Sequence, residues 1–133
     1  MGSWGTEVFA NDDAMDWIAA LEDTDDIGVV ERALSRVNDA KGYLEAPDCS
    51  IALAAAEVVA TILERPGDDV PSEVFEWIAR VGREMPPSLV DDARRALDRV
   101  ASDSELLELW EEAGDPGIGE WRATLTELRG RLE

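Results

Sequence analysis

The chain of 133 residues is 45% hydrophobic and 32% charged, a balance that fits one folded globular domain and argues against disorder. Thirty-one acids oppose twelve bases for a formal net charge of −19, an excess that repels phosphate backbones and anionic headgroups, so neither nucleic acid nor a membrane surface is expected as a partner. With no His and a single cysteine, Cys49, the chain can build no Cys/His zinc site, no Ser-His-Asp triad and no intrachain disulfide.

Residues 1–11 contain Trp4 and Phe9 without a helical period and are expected to form an extended arm whose aromatics cover part of the core. Asn11, Asp12 and Asp13 supply capping chemistry for a first helix with Ala14, Trp17, Ile18 and Leu21 on one stripe. Asp25 or Asp26 starts a second, carrying Ile27, Val30, Leu34 and Val37 and ending near Gly42. After a linker from Tyr43 to Pro47, a third helix over about 49–64 is the most apolar of the chain. Between Ile51 and Leu63 eleven of thirteen residues are apolar, on every side of a 3.6-residue period. It is far short of the roughly 20 residues that cross a bilayer, so it belongs in the middle of the protein. Its alanines at 52, 54, 55 and 56 let neighbouring helices approach closely.

Arg65-Pro66-Gly67-Asp68-Asp69 breaks this helix. Pro71-Ser72 opens the next, with Val74, Phe75, Ile78 and Val81. Pro86-Pro87-Ser88 restarts the chain into Leu89, Val90, Ala93, Ala96, Leu97 and Val100. Ser102 to Glu105 has the spacing of a capping box before Leu106, Leu109, Trp110 and Ala113. A turn at Gly114-Asp115-Pro116-Gly117 leads to a last helix with Trp121, Leu125, Leu128 and Leu132. No segment alternates as a strand would. The expected fold is all-α, a single-domain bundle of six to seven helices.

Two segments recur. Trp17-Ile18-Ala19 returns as Trp77-Ile78-Ala79, and Arg32-Ala33-Leu34-Ser35-Arg36-Val37 as Arg95-Ala96-Leu97-Asp98-Arg99-Val100. The order of elements matches too, which suggests a duplicated three-helix unit around the central helix.

Few residues could carry chemistry. Asp12-Asp13-Ala14-Met15-Asp16 has the D-D-x-x-D spacing that puts Asp12 and Asp16 one turn apart on a helix face, as paired carboxylates that hold Mg²⁺ do. Acidic doublets recur at 25–26, 68–69 and 91–92, each near a helix start, and capping explains them all. Glu57 is the one carboxylate inside the apolar run. Paired or neutral, a buried acid marks an active site or a structural ion pair, here with Arg32, Arg36 or the Trp4 indole as candidate partners. Trp110 and Trp121 are the expected exposed anchors for a partner. Glycine-rich phosphate cradles are absent, and no cofactor is expected.

The run Met1-Gly2-Ser3-Trp4-Gly5-Thr6 through Phe9, Asn11-Asp12, Ala14 and Asp16-Trp17 resembles the opening of a bacterial family catalogued as domain of unknown function 4259, with Glu7 in place of an expected Gly. Ala54-Ala55-Ala56-Glu57-Val58-Val59-Ala60 is similar to its central block. Ser104-Glu105-Leu106 through Leu109-Trp110, and Trp121 to Leu132, are similar to its closing part. The resemblance implies a small all-helical bacterial protein and supplies no activity, ligand or catalytic residue. It also groups Trp4, Asn11, Asp12, Asp16 and Glu57 into one constellation, in which Glu57 is expected to tie down the N-terminal arm.

The charge then favours a non-enzymatic cytoplasmic interaction module that binds a basic protein, as an immunity protein or inhibitor would. The other reading is a small enzyme or metal-binding protein with a carboxylate site near Asp12, Asp16 and Glu57.

Overall fold

The structure is a computed structural model and describes residues 5–133. The described residues form seven helices and no strand: α1 Asp12–Glu22, α2 Gly28–Asn38, α3 Ala46–Ile62, α4 Ser72–Val81, α5 Ser88–Ser102, α6 Glu105–Ala113 and α7 Gly117–Arg131. None is long and apolar enough to cross a membrane.

The organising element is α3. Its residues from 52 to 62 are all buried, and each of the other six helices packs against it. A helix with no polar face has no way to sit at a surface, so the others must enclose it. Ala54, Ala55 and Ala56 are fully buried, and their small side chains let the surrounding helices come near the α3 backbone.

α2 and α5, which hold the recurring Arg-Ala-Leu-x-Arg-Val segments, lie against each other as well as against α3. The same three positions are buried in each copy: Ala33, Leu34 and Val37, and Ala96, Leu97 and Val100. The side chain of Asn38 crosses between them and donates to the Asp92 carbonyl at 2.9 Å. Each helix of the first set packs on its counterpart, α1 on α4, α2 on α5 and α3 on α6. The halves are not equal, since α1 packs on α3 while α4 makes no comparable packing on α6.

Several local expectations change. Residues 5–10 are turned rather than extended, closed by the Ala10 amide donating to the Glu7 carbonyl at 3.1 Å, and Val8 and Phe9 are buried against the core. The second helix ends at Asn38, before Gly42, and α3 begins at Ala46, ahead of Pro47. Ser102 to Glu105 is not a capping box. Ser102 is the last residue of α5, and Ser104 caps α6 by accepting from the Leu107 amide at 3.1 Å. Glu105 reaches instead to α3, where its Oε1 accepts from the Ala46 amide at 2.7 Å. One helix thereby satisfies an orphan amide of another, which no local pattern encodes. On α4 the buried stripe is Val74, Trp77 and Ile78, and Phe75 is exposed.

The end of α3 carries strain that a mutation can relieve. Glu64 sits at φ 66, in the left-handed region, while the amide of Arg65 donates to Ala60 and that of Glu64 to Thr61, both at 2.9 Å. These two bonds make a Schellman motif with a non-glycine at its left-handed position. Glu64→Gly is therefore expected to stabilise the protein by about 0.5–1 kcal/mol, because the left-handed cost to a residue with a Cβ exceeds glycine's entropy loss. A denaturant midpoint no higher than wild type would rule this out.

Cys49 lies fully buried in α3, and burial pushes its thiol up to about 11 from 9.0. The native thiol is expected to resist a thiol reagent at pH 8, with modification appearing only as the chain unfolds. Because the folded value lies above the unfolded one, the stability from a neutral thiol is full below pH 9 and lost as pH rises toward about 11. Rapid labelling under native conditions would contradict this burial.

Candidate functional site

Glu57 is 1% exposed and lies one turn before Thr61, whose hydroxyl donates to the Glu57 carbonyl at 2.8 Å. Among the described residues its carboxylate bonds no part of the N-terminal arm. It is gripped from α7 by Arg131, with Nη1 donating to Oε2 at 2.6 Å and Nη2 to Oε1 at 2.8 Å. The Gly67 amide, in the loop between α3 and α4, adds a contact to Oε2 at 3.3 Å. Arg131 also donates to the Arg65 carbonyl at 2.9 Å and to Glu127 at 2.7 Å.

A Cβ at position 67 would come within 2.9 Å of Glu57 Oε1 and 3.0 Å of Arg131 Nη2, so any larger residue there would push on the ion pair. Burial raises the Glu57 carboxyl above its ordinary value, and the guanidinium and the Gly67 amide pull against that rise. With both oxygens held in a bidentate fork, Glu57 has no lone pair facing open space, and its role is to lock α7 and a loop onto the central helix.

Of the rest of the expected constellation, Asn11, Asp12 and Asp16 share the start of α1. Trp4 lies outside the described residues. Asn11 caps α1, with its Oδ1 accepting from the Ala14 amide at 2.8 Å and its Nδ2 donating to the Val8 carbonyl at 3.1 Å. Asp12 and Asp16 are exposed on α1. Among the described residues no three acids or cysteines gather as a cation site. The trio of Asp12, Asp16 and Glu57 is thus not brought together.

A groove does open beside the start of α1. It measures about 530 Å³ and is floored by Leu106, Leu109 and Trp110 of α6, flanked by Ala46 and Ser50 of α3 and by the chain at Gly5 and Thr6. Asp13 and Glu120 line it, and no base among the described residues does. Beneath it a slot of about 10 Å³, room for one water, runs toward Leu53 and Trp121.

The two tryptophans expected as exposed anchors take different places. Trp121 is buried at 3% exposed, and Trp110 is half-buried and stacked on it with ring centroids 6.5 Å apart. Trp110 is held from the turn as well, where a Cβ on Gly117 would lie 3.1 Å from its ring. Trp110 is the floor of the groove rather than a projecting anchor.

An all-helical protein with an acidic surface, a buried arginine–carboxylate lock and an apolar groove is the class that fold and site define. The chain matches the family described as Domain of unknown function (DUF4259) over residues 2–124 and belongs to that family. No curated protein and no solved structure matches it. Glu57 and the groove fall within the matched span, whereas Arg131 lies beyond it.

Proposed function

We propose that the protein is a non-enzymatic interaction module that holds a basic protein, in the manner of an immunity protein or an inhibitor. The observation that carries this reading is where the positive charge goes. Each of the eleven arginines has a partner within the chain, most of them on the surface, some with carboxylates, as Arg80 is with Asp25 and Arg129 with Asp98. The others bond backbone carbonyls, as Arg99 does at Ala40 and Gly42 and Arg83 at Thr61 and Ile62.

The acid excess is left facing water with little to neutralise it. α1 has Asp12, Asp13, Asp16 and Glu22 and no base. α6 also carries no base of its own, although Glu105 holds the Ala46 amide, Glu108 the Tyr43 hydroxyl and Glu111 pairs with Arg122, which leaves Glu112 without such a partner among the described residues. A field of one sign on a small rigid scaffold attracts a partner of the other sign and speeds its encounter.

The test is retention of a basic protein by the immobilised chain at about 50 mM and about 500 mM salt, where screening differs severalfold. Retention at low salt, release at high salt and loss in an Asp12→Asn, Asp13→Asn, Asp16→Asn variant are expected. If nothing is retained at low salt, the reading fails.

A further inference from the structure

We infer that the groove between the start of α1 and the α6–α7 corner seats an apolar side chain from a cationic, amphipathic segment of that partner. The inference rests on the basic-partner reading and adds where and how the partner is held. Three features of the groove carry it.

Its floor is apolar and rigid. Leu106, Leu109 and Trp110 form it, and Trp110 is fixed between Trp121 and the Gly117 backbone. Such a surface gains most from an inserted aliphatic or aromatic group and little from a fully polar chain.

Its charge is one-sided. Asp13 and Glu120 both line it, and Asp12, Glu112 and Asp115 lie next to lining residues in the chain. The nearest arginine in sequence, Arg122, is paired with Glu111. An apolar anchor flanked by Lys or Arg complements this pattern. A second copy of the chain, at −19, would meet its own repulsion here.

Its wall offers an unused polar group. Ser50 is 6% exposed and lines both the groove and the slot below it, and no hydrogen bond within the described residues engages its hydroxyl. A hydroxyl on the wall of a groove that no described residue bonds can bond a ligand backbone. The three features define a site for a short amphipathic segment: apolar side chain inward, one backbone group on Ser50, bases on the rim.

The test uses fluorescence anisotropy with two labelled peptides of equal positive charge. One is an amphipathic Leu/Lys helix of about 14 residues, the length that presents anchors over several turns. The other is a Gly/Lys peptide with no apolar face. Ala113→Trp fills the groove from an exposed position at the end of α6, so the fold is undisturbed. It is expected to weaken the Leu/Lys peptide about tenfold or more, as loss of an anchor does, and to leave the Gly/Lys peptide unchanged. Ser50→Ala is expected to weaken the Leu/Lys peptide by about threefold to tenfold at unchanged thermal stability, since its hydroxyl bonds no described residue.

If Ala113→Trp leaves the Leu/Lys affinity within about twofold, below what any anchor contributes, the groove is not the site, and the acidic-surface reading stands as long as both peptides bind at low salt. If neither peptide binds at low salt, both readings fall. Self-association that Ala113→Trp abolishes would give the groove to a second copy and overturn the inference.

Discussion

Replacing Arg131 with Ala is expected to destabilise the protein by about 3–5 kcal/mol, the range for removing one partner of a buried ion pair. The loss is large because Glu57 stays behind. Its side chain is 1% exposed in the centre of the bundle, and only the Gly67 amide at 3.3 Å would remain to bond the carboxylate. Arg131→Lys is not expected to rescue the fold, since a single ammonium cannot occupy both fork positions at 2.6 and 2.8 Å.

The same variant makes a prediction about pH. Without the guanidinium, burial and the nearby Asp69 charge are opposed only by the Gly67 amide, and the Glu57 carboxyl rises further. The folded variant then binds that proton more tightly than the unfolded chain does, so its stability is greatest at low pH and falls as pH rises through the folded value. The gap between wild type and Arg131→Ala should widen from about pH 5 to about pH 8, on the alkaline side of an ordinary carboxylate. A constant gap would mean that Glu57 is not the group left uncompensated. Glu57→Leu combined with Arg131→Met should recover most of the loss, because apolar replacements of a buried pair are commonly neutral or stabilising. Urea unfolding of the three variants at several pH values measures all of this.

The second large effect is expected at Trp77. It is fully buried in α4, and its indole N–H donates to the Thr24 carbonyl at 2.8 Å, just past the end of α1. Trp77→Ala removes the largest fully buried side chain and is expected to cost about 3–5 kcal/mol, with the higher end reached if the cavity does not collapse. Trp77→Phe separates the two contributions. It keeps most of the apolar volume and leaves Thr24 with the Arg80 guanidinium, which donates to the same carbonyl at 3.2 Å. Its cost should be about 1–2 kcal/mol, a partial void plus one hydrogen bond. Equal losses for the two variants would show that the indole bond rather than the volume matters.

This prediction bears on the acidic face, because α4 packs directly on α1. Arg80 reaches the same corner, bonding Asp25 at 2.7 Å and the Glu22 carbonyl at 2.9 Å. Loosening α4 should loosen the helix that bears Asp12, Asp13 and Asp16. The surface pairs have no comparable weight, since exposed ion pairs contribute about 0–1 kcal/mol each.

What the sequence could determine was what repeats at short range. A helix declares itself through residues three and four apart, so the helices and their order follow from the stripes. The burial of α3 follows from an apolar run with no face for water. The caps were legible where the bond is local, as at Asn11, whose acceptor serves an amide three residues on. α4 marks the limit even here. Phe75 and Trp77 are both large and apolar, and only the placement of α1 decides that the indole turns inward.

The partner of Glu57 was beyond this kind of reading. A buried carboxylate announces that it needs a cation, but every arginine in the chain can supply one. Arg131 is 74 residues away, and what selects it is the way the last turn of α7 docks against the α3–α4 loop. Gly67 reads as an ordinary turn residue until two side chains meet over it. The groove was hidden for the same reason. Ser50, Trp110, Asp13 and Glu120 come from four separate parts of the chain, and no local period relates them. Short-range pattern set each helix and the identity of the central one. Long-range packing alone decided where the buried acid found its base and where the surface was left open.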